Sequence, residues 1–270
     1  MCSHSSPAHP GVQRDLPMSN QNLESIRALI DQCSEEEQAT LFRELRQRYP
    51  IHEFEQVIGA PAEMILEAVH RAPELTRRML RGVIADAAFR TFVVPAVEQQ
   101  GWRDVTPVGN FAYDYMMQDA QGKVSVQVKL QRSEKGAPVV KAGGRFGFEG
   151  DVYIAETQKT RTGNDGEEKT RPYRYGEFDV LAVSMQPSTG KWDRYMYTLG
   201  RWLLPGKGEN DMATLQPVSM TPNSFWTDDF ATVAAWFREE DGGKRMTLFK
   251  RLKGQLAPHK KKADNGSNPR

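Results

Sequence analysis

Three polar side chains of different chemistry, Asp114, Gln127 and Lys129, stand in the stretch Asn110 to Ser133. Val124, Val126, Val128 and Leu130 alternate with Ser125, Gln127 and Lys129, which is the period of a strand, so Gln127 and Lys129 share one face. Asp119 to Lys123 has the composition of a hairpin loop, and Phe111 to Gln118 reads as the strand before it. A turn centred on Ala120 to Gly122 sets Asp114 opposite residues 127–129. A carboxylate, an amide and a lysine then converge on one patch of sheet. Phosphodiester hydrolysis is a reaction such a patch could perform, since it needs charge neutralised on the phosphate, an activated water and a proton for the leaving oxygen. Asp114 and the Val128 carbonyl are candidate ligands for Mg2+, and Lys129 beside them could orient or deprotonate the water. A strand whose polar face is merely wet would alternate in the same way, so the surrounding elements matter.

The element just upstream is the longest. Glu74 to Gln100 is expected to be one helix, with Pro95 as a kink. Leu80, Val83, Ile84, Ala87 and Val94 form one apolar stripe, and Met79, Gly82, Phe89 and Val93 a second. Asp86 falls within the second face, where a carboxylate is costly unless paired or bound to a cation. Gly101-Trp102 closes this helix, and Arg103 to Val108 leads into the hairpin. Downstream, Asp151 to Ala155 reads as a strand, and Phe178 to Met185 as a buried central strand. Pro187 to Gly190 is a turn, Trp192 to Leu204 supplies another strand or two, and Phe225 to Glu239 is an amphipathic helix. Between these strands, Gly136 to Gly150 is glycine-rich, and Glu156 to Arg174 is a polar loop or arm without a helical stripe. Upstream, Asn22 to Cys33 and the segment opened by the capping box Ser34 to Glu37 are helical; Pro50 ends the second helix. Pro61 and Pro73 each introduce a further helix.

Composition sets the frame. The 270 residues, 39% hydrophobic and 26% charged with a net charge of +1, describe a globular chain rather than a wholesale polyanion binder. Cys2 and Cys33 have no partner at metal-ligand spacing and the five histidines are scattered, which argues against a zinc site. No run of about 18 apolar residues is present, and a cytoplasmic location is expected. The expected organisation is a disordered segment 1–20, a helical subdomain 21–73, an α/β domain 74–250 and a basic, disordered tail 251–270. Residues 21–60 carry eight acids against four bases, which suits a scaffold or dimer-contact layer rather than a nucleic-acid surface.

On the residues quoted so far, the chain resembles the PD-(D/E)xK nuclease superfamily, which includes most type II restriction endonucleases and archaeal-type Holliday junction resolvases. Tyr113-Asp114-Tyr115 and Gln127-Val128-Lys129 match its motif. Gly82 with Asp86, and YRYGEFDVLAV at 173–183, resemble the helix and next strand of the resolvase-like branch. The resemblance spans residues 78–205. It implies a mixed central β-sheet flanked by helices, with the N-terminal helical subdomain outside it. It also implies Mg2+ held by Asp114, Asp86 and the Val128 carbonyl, and catalysis by Asp114, Gln127, Lys129 and Asp86. Gln127 stands where the family has an acid, which makes Asp86 the second carboxylate, and no proline precedes Asp114.

The implied substrate is double-stranded DNA. Between Lys129 and Arg174 there are ten Lys or Arg against seven Asp or Glu. Arg132, Lys141, Arg145, Gln158, Lys159, Arg161, Arg171 and Arg174 are the candidate contacts to bases and phosphates. Long polar segments and a helical layer around a minimal core fit a type II restriction endonuclease acting as a homodimer, with a companion DNA methyltransferase encoded nearby. A structure-specific repair or junction nuclease is the second reading. A DNA-binding protein that has lost catalysis is the third, and Gln127 is the residue that favours it.

Overall fold

A computed structural model describes residues 20–165 and 168–248. The expectations for 1–20 and 251–270 fall, Asn20 aside, outside the described residues. The chain divides into two compact units, Met1–Pro73 and Glu74–Arg270.

The first unit is helical: α1 (Asn20–Gln32), α2 (Glu35–Arg48), α3 (Phe54–Ile58) and α4 (Ala62–Arg71). Ser34 caps α2 by accepting from the Glu37 amide, while the Glu37 carboxylate accepts from the Ser34 amide, so two otherwise unpaired donors are satisfied. Pro61 sits at the start of α4, where a missing N–H costs nothing. Arg46 ties the unit together, at 2.9 Å from Glu55 and 2.8 Å from Glu63.

The second unit is a mixed α/β fold. It opens with α5 (Glu74–Ala88), which runs through a π-helical turn at Phe89–Val93 into α6 (Val94–Glu98). Pro95 has no N–H for the α ladder, and the turn before it widens, with the Val94 amide bonding the Phe89 carbonyl. The expected stripes are corrected here. The buried face is Ala85, Ala88, Phe89, Val93, Val94 and Val97, while Met79, Val83 and Ile84 are exposed. Ahead of the wide turn the small alanines are buried in place of the larger stripes. At the turn the extra residue shifts the phase, so that Val93 and Val94, one from each expected stripe, are buried together. The small Ala85 and Ala88 let the helix lie close on the sheet.

The strands follow in order: β1 (Arg103–Asp104), β2 (Tyr115–Asp119), β3 (Gly122–Leu130), β4 (Ser133–Glu134), β5 (Ala137–Pro138), β6 (Val140–Ala142), β7 (Asp151–Glu156), β8 (Gln158–Asp165), β9 (Glu168–Pro172) and β10 (Val180–Ser184). The one-turn helix α7 (Gln186–Thr189) replaces the expected turn, with Gly190 in the left-handed conformation at its end. Then come β11 (Tyr195–Leu199), β12 (Leu215–Ser219) and α8 (Phe230–Arg238), which Asp229 caps. The central sheet has the order β1-β2-β3-β10-β11, in which β3 and β10 are parallel and the other pairs antiparallel. The smaller sheet, β12-β7-β6, includes a strand that the sequence pattern does not announce.

Period-two alternation sends the two faces of the central sheet into two cores. Val124, Val126, Val128, Val180 and Ala182 pack with Phe89, Val93, Phe230 and Val233 beneath the helices. Leu181, Val183 and Met196 pack with Val152, Val218 and Trp226 beneath the smaller sheet. Glu156 to Arg174, expected as a loop or arm, is a two-stranded ribbon of β8 and β9; the threonines in both strands favour extended backbone.

Candidate active site

The hairpin of β2 and β3 turns on Ala120 and Gln121, with Asp119 paired to Gly122 and the Asp119 carboxylate accepting from the Gln121 and Gly122 amides. β2 begins at Tyr115, later than expected, because Phe111 to Asp114 bends away from the sheet. That bend carries Asp114 to the edge of β3. Its amide donates to the Val126 carbonyl at 2.9 Å, and its Oδ2 accepts from the Val128 amide at 2.8 Å. Gln127 Nε2 donates to the same oxygen at 2.5 Å and to the Val128 carbonyl at 3.1 Å. The polar face of β3 is not wet: Gln127 is 3% exposed, and Gln131, just past the end of the strand, 1%.

Lys129 stands on the same face, its Nζ 3.2 Å from the Tyr173 hydroxyl and 5.1 Å from that ring's centre. Asp86 reaches the site from α5. The hydroxyls of Tyr115 and Tyr195 donate to the carbonyls of Asp86 and Ala85, at 2.9 and 2.8 Å, and so fix this part of the helix over the sheet. Asp86 Oδ1 is buried without a hydrogen-bond partner.

These groups line one cleft of about 620 Å³. Asp86, Asp114, Gln127, Val128 and Lys129 meet there with Arg78, Arg81, Arg132, Glu156, Gln158 and Lys159. Burial decides the electrostatics. It pushes the Asp114 carboxyl above its ordinary range, against the Val128 N–H and the Lys129 charge, and the nearby Asp86 adds to the rise. Burial also raises Asp86, opposed by the Tyr115 hydroxyl, Arg90 and Lys129. Lys129 is lowered by burial, opposed by Asp114 and Asp86. Two carboxylates made reluctant to ionise, one with an oxygen lacking any donor, suit a cation better than they suit each other. Among the described residues no three His, Cys, Asp or Glu side chains converge, so the available donors are two carboxylates and a carbonyl, all hard oxygens.

Of the eight expected DNA contacts, Arg132, Gln158 and Lys159 line the cleft. Lys141 lies exposed on β6 of the smaller sheet and Arg145 in the turn after it, both outside the cleft lining. Arg174 sits where the backbone bridges to Asp211, also outside that lining. Arg161 and Arg171 belong to the ribbon strands, and their side chains lie outside those described. Other residues of the cleft lining were not anticipated as site residues, among them Gln131, Arg78, Arg81 and Glu156. Gln131 has the same parity as Gln127 and Lys129, and Arg78 precedes Asp86 by about two helical turns on α5 with Arg81 three residues after Arg78, so a readable signal was present. Glu156, at the end of β7, carried none.

No protein-family model matches the chain, and no curated protein matches it. A search of solved structures finds a bacterial homing endonuclease at 23% identity, covering 45% of this chain and 68% of that one with a TM-score of 0.29. A likeness of that size carries no functional argument; the side chains of the cleft have to supply it.

Proposed function

We propose that this chain is a Mg2+-dependent DNA endonuclease, of the type II restriction kind and active as a homodimer. The observation that carries the reading is the shared cleft of Asp86, Asp114, the Val128 carbonyl and Lys129, with Asp86 Oδ1 buried and unpartnered. Asp114, Asp86 and the Val128 carbonyl would hold the cation. When bound there, Mg2+ would supply charge neutralisation at the phosphate and a polarised water. Lys129 faces that point: as an ammonium it would orient the attacking water, and as the neutral amine that burial favours it would take the water's proton. Arg78, Arg81 and Arg132 offer guanidinium groups along the same cleft for the phosphates that flank the scissile bond. The ribbon of β8 and β9 leaves from the cleft edge at Gln158 and returns at Pro172, and a two-stranded ribbon fits the width of a major groove.

Gln127 favours the second reading, a DNA binder without catalysis. Its Nε2 occupies the two oxygens, Asp114 Oδ2 and the Val128 carbonyl, that a cation would use. A half-turn of the amide would bring Oε1 to face the same point, which is how an active site would use this residue. Incubating the protein with supercoiled plasmid, with branched DNA and with Mg2+ separates the readings. Discrete plasmid fragments are expected. Cutting confined to branched DNA would replace restriction by junction cleavage, and binding without any cutting would leave the inactive binder. A DNA methyltransferase of matching specificity encoded nearby would accompany the restriction role.

A further inference from the structure

Lysine has four rotatable side-chain bonds, and its ammonium has no fixed direction unless a partner supplies one. Lys129 forms no ion pair among the described residues; its polar contact is the Tyr173 hydroxyl, at 3.2 Å. The ammonium also lies 5.1 Å from the centre of the Tyr173 ring, within the range of a cation–π attraction. Tyr173 itself has little freedom. It is 5% exposed, and its ring meets Phe178 edge-on at 5.3 Å and 84°. Phe178 is in turn fixed by Gly200, where an added Cβ would lie 2.5 Å from the Phe178 carbonyl, a spacing only glycine permits. The Tyr173 backbone is pinned as well, since its carbonyl accepts from the Met212 amide at 2.7 Å. A rigid phenol therefore holds a flexible lysine.

The same ring receives a second cation. Lys159, near the start of β8, lies 5.7 Å from the Tyr173 centroid and pairs with Glu177 at 2.6 Å. Tyr173 follows β9 directly, so the phenol stands at the root of the ribbon and at the lysine of the cleft at once.

We infer that Tyr173 is a positioning residue for Lys129: its hydroxyl and ring fix where the ammonium stands in the cleft, beside Asp114 and Asp86. It does not touch the reacting atoms, and its role rests on the nuclease reading of this cleft. Removing the hydroxyl alone should leave DNA binding and folding in place while the ammonium wanders, and a misplacement near an ångström slows a reaction by about a hundredfold.

The test compares wild type with Tyr173→Phe, which keeps the ring and its packing. Cleavage of linear DNA in Mg2+ should show kcat reduced about tenfold to a hundredfold with KM unchanged. A spectrum of isotope-labelled lysine should show a protected Nζ group for Lys129 in the wild type and a rapidly exchanging one in the variant. An unchanged kcat with an unchanged Nζ signal overturns the inference. A raised KM together with a lowered melting temperature, with the Nζ signal intact, would make Tyr173 a packing residue only and also overturn it. If the wild type cuts no DNA at all, the nuclease reading fails and the role falls with it. If the wild type cuts and the variant cuts equally well, the inference alone fails.

Discussion

Asp114 gathers two hydrogen bonds on a single carboxylate oxygen, from the Val128 amide and from Gln127. Its folded-state pKa is nevertheless raised, because burial outweighs those bonds. A carboxyl with a raised folded pKa takes up its proton in the folded state first, so its ionised form at neutral pH costs stability rather than adding to it. Asp114→Asn should therefore melt no lower than the wild type in metal-free buffer, and Mg2+ should raise the melting temperature of the wild type but not of the variant. A thermal scan with and without Mg2+ checks both; a lower metal-free melting temperature, or an equal response to Mg2+, counts against the site. The raised values also set a pH limb. Cation binding competes with protons held by Asp114 and Asp86, so cleavage should fall on acidification at a pH above the ordinary aspartate range. A rate profile unchanged down to that range would mean neither carboxylate binds the metal. At this scale the sequence was readable where spacing is local: parity places Gln127 beside Lys129, and the turn length places Asp114 opposite them. Tyr173 was not readable, since no periodicity links residues 44 positions apart and only the packing of Phe178 and Gly200 brings it to Lys129.

The helix from α5 through α6 shows what local pattern reveals at the scale of an element. Its extent and the influence of Pro95 were legible, because a missing N–H acts wherever proline stands. The buried face was not. Ahead of the π turn Ala85 and Ala88 are buried rather than the larger apolar stripes, the turn then moves the phase, and next to it the Ala85 and Asp86 carbonyls are anchored by two tyrosine hydroxyls from the sheet. Those bonds carry a prediction. Tyr115→Phe and Tyr195→Phe should each cost about 1 kcal/mol in urea unfolding, the usual net worth of one buried hydrogen bond. Tyr115→Phe should in addition slow cleavage, because it frees the backbone of Asp86 itself. Equal stability in both variants would show that the hydroxyls do not hold the helix. The ribbon was half legible: its polarity and lack of a helical stripe marked an arm, but the pairing of its strands requires a partner that local pattern does not supply. β12 was missed for the same reason, being a short strand whose place depends on β7.

At the scale of the whole molecule, the sheet order and the two cores follow from alternation in β3, β10 and β11, and the buried run Phe178 to Met185 already marked its centre. No helix among the described residues is long and apolar enough to cross a membrane. The N-terminal unit leaves large apolar side chains on its surface: Leu29 is 63% exposed, Val57 76% and Leu66 66%. Exposed apolar residues in such number would suit a covering partner, and the proposed homodimer would supply one. If the proposed homodimer forms through this surface, Val57→Glu and Leu66→Glu should convert it to monomer in sedimentation velocity at little cost in unfolding free energy, since each side chain is exposed within its own unit. A wild type that sediments as a monomer would rule the dimer out. In the proposed function, Asp114 and Lys129 act together with Mg2+ to hydrolyse DNA. The most direct measurement is single-turnover cleavage of linear DNA by wild type, Asp114→Asn and Lys129→Ala, with DNA affinity measured on the same samples. Discrete fragments from the wild type, and a rate lower by on the order of a thousandfold in either variant at unchanged affinity, are predicted. Cleavage by Lys129→Ala at the wild-type rate would contradict it.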